Sequence, residues 1–176
     1  YFAFTYKYKD VTYKEKKETE IDILLLSQLA YLPMDNINFK NNKKYSLKEI
    51  ADNIDRQVFL KSLIAQRNAL KLLDTIKDLP RFKDIKVTCY EYEADINSQF
   101  GAVTFLLPNK KIIIAFQGTD DTISGWKEDA CLSYLYPTTS QEMAGNYVEK
   151  IISKFKHPVI ICGHSKGGNL ALVGAI

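Results

Sequence analysis

Residues 158–176 read PVIICGHSKGGNLALVGAI, and the parsing of that stretch decides the fold. Val159-Ile160-Ile161-Cys162 is a β-branched apolar run, long enough for a buried strand and too short for a helix. Gly163-His164-Ser165-Lys166-Gly167 interrupts it, and the small and apolar residues that follow have helical character. Strand, sharp turn and helix is the setting in which a G-x-S-x-G turn strains the serine backbone and lifts its hydroxyl clear of the sheet. The flanking glycines let strand and helix pass closely. Ser165 is therefore the candidate nucleophile. The bland alternative is a Gly-rich turn that carries an ordinary exposed serine. A phosphate-binding loop would need a longer spacer between its glycines and a following Lys-Ser/Thr pair, which this turn lacks.

Upstream, Ile112-Ile113-Ile114-Ala115-Phe116 is apolar at every position, as a central strand covered by helices on both faces should be. It delivers Gln117-Gly118-Thr119-Asp120-Asp121 to the sheet end at which the loop after the next parallel strand emerges. Gly101 to Leu107 and Lys111 to Phe116 read as a hairpin around Pro108-Asn109, and Ile85 to Tyr92 alternates as a half-buried strand. Thr139-Ser140-Gln141-Glu142 has capping-box spacing and opens a helix with Met143, Tyr147, Val148, Ile151, Ile152 and Phe155 on one face. Trp126 to Tyr136 reads as a shorter helix or irregular segment.

The first 80 residues are mainly helical in character. Thr19-Glu20-Ile21-Asp22 opens a helix with a wide apolar face, stopped by Pro33. Asn36 to Lys44 reads as a polar loop, and Ser46-Leu47-Lys48-Glu49 as a second capping box. A further helical stretch, broken or bent near Asp52 to Asp55, runs to Asp78 before Pro80. Tyr1 to Lys17 interleaves Tyr with Lys; its alternation suits an edge strand or a docked arm, with a solvated arm preferred. Such a segment could bind single-stranded nucleic acid or a membrane surface, but Asp10, Glu15, Glu18 and Glu20 break up its charge. The expectation is one domain over residues 1–176, with a helical layer over 1–80 and the sheet and elbow over 85–176.

Composition bounds the class. The 176 residues are 46% hydrophobic and carry 24 basic against 21 acidic side chains, enough for one sizeable core and too balanced for a broad field that favours nucleic acid or anionic lipid, which leaves the partner type open. The three cysteines, Cys89, Cys131 and Cys162, form no C-x-x-C pair and suit a reducing compartment, as small buried residues. No apolar run approaches the ~18 residues of a membrane span. The expected location is cytoplasmic. The oligomeric state is not legible.

An acyl-transferring serine needs a base, a group that orients the base, and two donors for the developing oxyanion. The backbone N–H of Lys166, the residue after Ser165, is one such donor. Gly118-Thr119 is placed to supply the second, through the Thr119 N–H and hydroxyl. Ile114-Ala115-Phe116-Gln117-Gly118-Thr119, Trp126-Lys127-Glu128-Asp129 and Gly163-His164-Ser165-Lys166-Gly167-Gly168-Asn169-Leu170-Ala171 together resemble the class 3 (fungal-lipase-like) lipases. They resemble still more closely a functionally uncharacterised bacterial α/β-hydrolase family, which Thr19 to Asp22 and Leu26 to Leu32 also fit. The resemblance implies an α/β-hydrolase-like central mixed sheet with an N-terminal helical layer, Ser165 as nucleophile and Thr119 in the oxyanion hole. Lipases of this class usually have Arg at Gln117 and Leu at Lys166, and Lys166 puts a charge beside the site.

The base is the difficulty. In α/β-hydrolases the acid and the histidine follow the serine, and the eleven residues after Ser165 contain neither. His157 precedes the last strand and belongs at its far end. His164 adjoins Ser165 with a diverging side chain. Asp120, Asp121 and Asp129 lie on earlier loops, where they suit loop shaping or helix capping. The expectation is a serine hydrolase of lipid or acyl esters, without metal or organic cofactor, cut short at Ile176 with its Asp and His downstream. The alternative is a degenerate hydrolase fold used for binding or as a scaffold.

Overall fold

A computed structural model describes residues 6–95, 98–119 and 137–176. Trp126 to Tyr136, Asp120, Asp121, Asp129 and Cys131 lie outside the described residues, as do residues 1–5 of the Tyr- and Lys-rich arm. Among the described residues a mixed sheet of five strands runs in chain order: β1 (Tyr45–Ser46), β2 (Lys86–Ala94), β3 (Gln99–Leu106), β4 (Ile112–Phe116) and β5 (Val159–Gly163). The first four pair antiparallel, and β5 runs parallel to β4 with Ile112 opposite Val159 and Phe116 opposite Gly163. The mixed α/β sheet expected from the sequence is present.

Both faces are covered, and the covers come from different parts of the chain. Ile113 and Ala115 of β4, with Val103 and Phe105 of β3, pack against Leu25, Leu26, Leu29, Leu73, Ile76 and Phe82 of the N-terminal layer. That layer contains α1 (Glu20–Gln28), α2 (Leu47–Asn53) and α3 (Ile64–Ile76). Ile112, Ile114 and Phe116 pack on the opposite face against Ala144, Tyr147, Val148 and Ile151 of α4 (Thr139–Phe155) and Leu170 of α5 (Lys166–Gly174). The strand period of two thus sends alternate β4 side chains into two cores, which is why no polar residue interrupts it. All of β4 is buried, whereas every residue of β5, which pairs on one side only among the described strands, is half-buried. Burial pushes the Cys162 thiol of β5 up to about 12, so it stays protonated at neutral pH.

The capping boxes at Thr19/Asp22 and Ser46/Glu49 form as the spacing predicts. The third is shifted by one residue: Thr138, not Thr139, caps α4, with Gln141 rather than Glu142 reaching back. Both pairs have the required spacing. Thr138 wins because the resulting helix phase buries Ser140, whose hydroxyl donates to the Gln99 carbonyl at 3.0 Å. Three further details differ from expectation. The expected polar loop at 36–44 contains a 3-10 turn at Lys40–Asn42, with Asn41 and Asn42 at φ 58° and 60°, a region asparagine tolerates. The short β1 that follows was not legible. The apolar faces expected of α1 and α4 are only partly used, since Ile21 and Leu24 stay 42% and 46% exposed and Ile152 48%.

The break near Asp52 to Asp55 is real: Ile54 is extended, and a 3-10 turn at Arg56–Leu60 precedes α3. Residues 6–17 of the N-terminal arm are docked rather than solvated. Tyr6 and Tyr13 are buried, and no strand forms among residues 6–17. The cause is Arg81, fully buried just past Pro80. Its guanidinium donates to both carboxylate oxygens of Asp22, at 3.1 and 2.6 Å, and to the carbonyls of Lys16 and Lys17, at 2.6 and 2.7 Å. It also stacks 3.9 Å over the Tyr13 ring. Asp22 is at once the third helical residue of the capping box and the buried counter-ion of Arg81.

Candidate functional site

Because β4 and β5 are parallel and in register to their last residues, their exit loops leave the sheet side by side. Gln117-Gly118-Thr119 follows one strand and His164-Ser165 the other. The approach is close. A side chain on Gly118 would lie 2.3 Å from the His164 carbonyl oxygen and 3.1 Å from the Ser165 Cβ, so only glycine fits. The sequence-predicted oxyanion loop and serine are therefore neighbours.

Ser165 has φ 57° and ψ −127°, a conformation essentially reserved for glycine, and its side chain is exposed. What imposes it is visible on either side. A Cβ on Gly163 would meet the Gly167 carbonyl at 2.1 Å, and one on Gly167 would meet the Phe116 carbonyl at 2.3 Å. Strand, helix and neighbouring strand are thus packed backbone to backbone, and the turn has no room to relax. The N–H groups of Gly167 and Gly168 fold back on the His164 and Ser165 carbonyls at 3.0 and 2.8 Å. Lys166 is the first residue of α5, where the helix itself offers its N–H no acceptor.

Strain of this kind costs about 1–3 kcal/mol, and a glycine relieves it while adding about 0.5–1 kcal/mol of unfolded-state entropy. Ser165→Gly is therefore expected to raise stability by about 1 kcal/mol in urea unfolding. A loss of stability would show that the turn is not strained.

The first turn of α5 is pinned by polar side chains. Lys166 is 5% exposed, and its ammonium donates to the Gln99 carbonyl at 2.7 Å, the same oxygen that Ser140 binds. Its charge, expected beside the serine, is turned into the end of β3. Asn169 accepts from the Gln141 side-chain amide at 2.8 Å, tying α5 to α4. Neither Gln99 nor Gln141 carries a local signal of this role.

A family model described as Mbeg1-like matches residues 76–176. The chain belongs to the Mbeg1-like family. The matched span takes in both exit loops and Arg81; Tyr31 and Asp22 lie outside it. No curated protein and no solved structure matches this Mbeg1-like chain.

No described side chain hydrogen-bonds the Ser165 hydroxyl. His164 is exposed, and its Nδ1 lies 3.1 Å from the Tyr31 hydroxyl, with the rings edge to face. It is thus held on the N-terminal layer. His157 sits just past α4, before β5, at the end of the sheet opposite the serine. Tyr31 was missed by sequence reasoning. It is apolar-face material in a helical pattern, and only the tertiary fold brings its hydroxyl to His164 and Gly118. A groove of about 620 Å³ runs along β2 between Met34 to Lys40 and Lys150 and Lys154, and none of the serine-site residues lines it. Among the described residues no cluster of His, Cys, Asp or Glu could hold a metal ion, and no helix is long and apolar enough to cross a membrane.

Proposed function

We propose that this chain carries the nucleophile half of a serine hydrolase of lipid or acyl esters, built on a class 3 lipase-like α/β-hydrolase sheet. The observation that carries the reading is Ser165: exposed, held at φ 57° and ψ −127°, and packed against Gly118. A strained serine in the turn between a strand and a helix is what a nucleophile elbow requires, and such strain persists only where the surroundings over-determine it.

In the proposed reaction the Ser165 Oγ attacks the ester carbonyl and its proton passes to a histidine base. The carbonyl oxygen gains charge and is met by the Lys166 N–H and by Thr119, through its N–H and hydroxyl. Collapse of the tetrahedral intermediate expels the alcohol, which takes the proton, and leaves acyl-Ser165 for water to cleave. The histidine and its acidic partner are expected beyond Ile176. No metal or organic cofactor enters these steps.

The test is turnover of 4-nitrophenyl acetate, butyrate and octanoate by the chain extended through its native continuation. Hydrolysis of at least one ester, lowered at least about 10⁴-fold by Ser165→Ala, is the expected result. Equal rates for the wild type and Ser165→Ala would favour a scaffold on a degenerate hydrolase fold.

A further inference from the structure

Gln117 lies at the start of the proposed oxyanion loop, is 3% exposed, and has a side-chain amide nitrogen with no hydrogen-bond partner among the described residues. A buried orphan donor costs stability, and native structures keep one chiefly where something else will satisfy it. The β4 alternation that buries Phe116 against α4 turns Gln117 to the opposite face, toward the N-terminal layer. There it lines a niche of about 60 Å³ with Tyr31, Asp35, Gln66, Tyr90 and Tyr92, the apolar wall being Leu32 and Pro33.

The niche adjoins the serine site through a single side chain. Tyr31 lines the niche, while its hydroxyl contacts His164 and lies 2.4 Å from where a Gly118 Cβ would be. Gln117 is one peptide, about 3.8 Å, from Gly118. Tyr31 is thus a wall that the niche and the serine site share.

Its lining is chemically specific: three phenols, two carboxamides and one carboxylate surround space for roughly four water-sized atoms. Asp35 is exposed and marks the mouth, and Gln117 is the buried end. Burial, and then the nearby Asp35 carboxylate, push the Tyr90 phenol well up, so it keeps its proton at neutral pH. An alkyl chain would leave the Gln117 amide unpaired, whereas a hydroxyl can accept from it and donate toward the phenols or Asp35.

We propose that this niche is a polar acyl subsite in which the Gln117 side-chain amide donates to a hydroxyl borne on the acyl chain a few bonds from the ester carbonyl. The proposal rests on the hydrolase reading for its substrate and on Gln117 for its site. It assigns hydroxyacyl esters, rather than plain alkyl esters, as the substrate class.

The experiment uses two non-hydrolysable amides, 3-hydroxybutyramide and butyramide, titrated into ¹⁵N-labelled chain. The Gln117 side-chain amide resonances, assigned by their absence in Gln117→Met, are expected to shift with the hydroxy compound and not with butyramide. Binding should favour the hydroxy compound by about tenfold in the wild type and in Ser165→Ala, and by less than twofold in Gln117→Met. Equal binding of both amides, or unmoved Gln117 resonances in the wild type, overturns the subsite whatever Ser165 does. Triple-resonance assignment of the same amide in the wild type keeps the readout if Gln117→Met does not fold. A retained preference, with Ser165 of the chain extended through its native continuation taking no fluorophosphonate, would sink the hydrolase reading and leave the niche as a hydroxyl-binding site.

Discussion

Arg81→Met is expected to lower the unfolding free energy by about 3–5 kcal/mol, the cost of stranding a buried charge. That is a large share of the roughly 5–15 kcal/mol by which a domain of this kind is stable. The magnitude follows from how completely the guanidinium is used. Asp22 and Arg81 are both fully buried, and the same cation holds the carbonyls of Lys16 and Lys17. Methionine has similar length and fills the space over Tyr13, but it leaves the Asp22 carboxylate to Thr19 and Tyr6 alone. It also takes the guanidinium donor from the backbone carbonyls of Val11, Thr12, Lys16 and Lys17. Pairing Arg81→Met with Asp22→Asn should recover part of the loss, because the neutral amide no longer strands a charge. Urea unfolding of the singles and the double measures this; additive losses would show that the pair is not coupled. Hydrogen exchange over residues 6–17 should rise first, since Arg81 is what docks that segment.

The same ion pair shows where sequence reasoning stops. Asp22 was legible as a capping residue because its partner, Thr19, lies three positions away and the spacing is itself the signal. Arg81 lies 59 positions from Asp22 and follows a proline in a short connection, where a cation is ordinarily solvated. Nothing local says that it is buried. For the same reason nothing local chose the docked reading of Tyr6 and Tyr13 over the preferred solvated arm. Strands β2 to β5 were legible because hydrophobic period and turn residues are local properties, and β4 because it is apolar on both faces. The two-residue β1 is too short to have a period. Thr138 was displaced by its neighbour because two capping boxes overlap, and only the burial of Ser140 chooses between them.

The candidate site divides along the same line. Ser165 and the Gly118-Thr119 loop follow from motifs, each contained in a few residues, and their meeting follows from the parallel pairing of β4 and β5. Tyr31, Gln99 and Gln141, which brace the turn and its helix, come from three separate elements and carry no motif. The orphaned amide of Gln117 is likewise a property of packing, since an exposed glutamine at that position would be satisfied by water.

Loss of the Ser165 hydroxyl is the other change of largest expected effect. Ser165→Ala keeps the backbone strain, because alanine disfavours φ 57° and ψ −127° as serine does, and removes only the nucleophile. Stability should therefore stay within about 0.5 kcal/mol of wild type while reactivity vanishes. A structural serine would give neither half of that pattern. Intact mass and peptide mapping after exposure to a fluorophosphonate test the claim most directly, on the 176-residue chain and on the chain extended through its native continuation. The account predicts an adduct on the peptide containing Ser165 in the extended chain, little or none in the shorter one, and none after Ser165→Ala. No adduct on Ser165 in either form would contradict it.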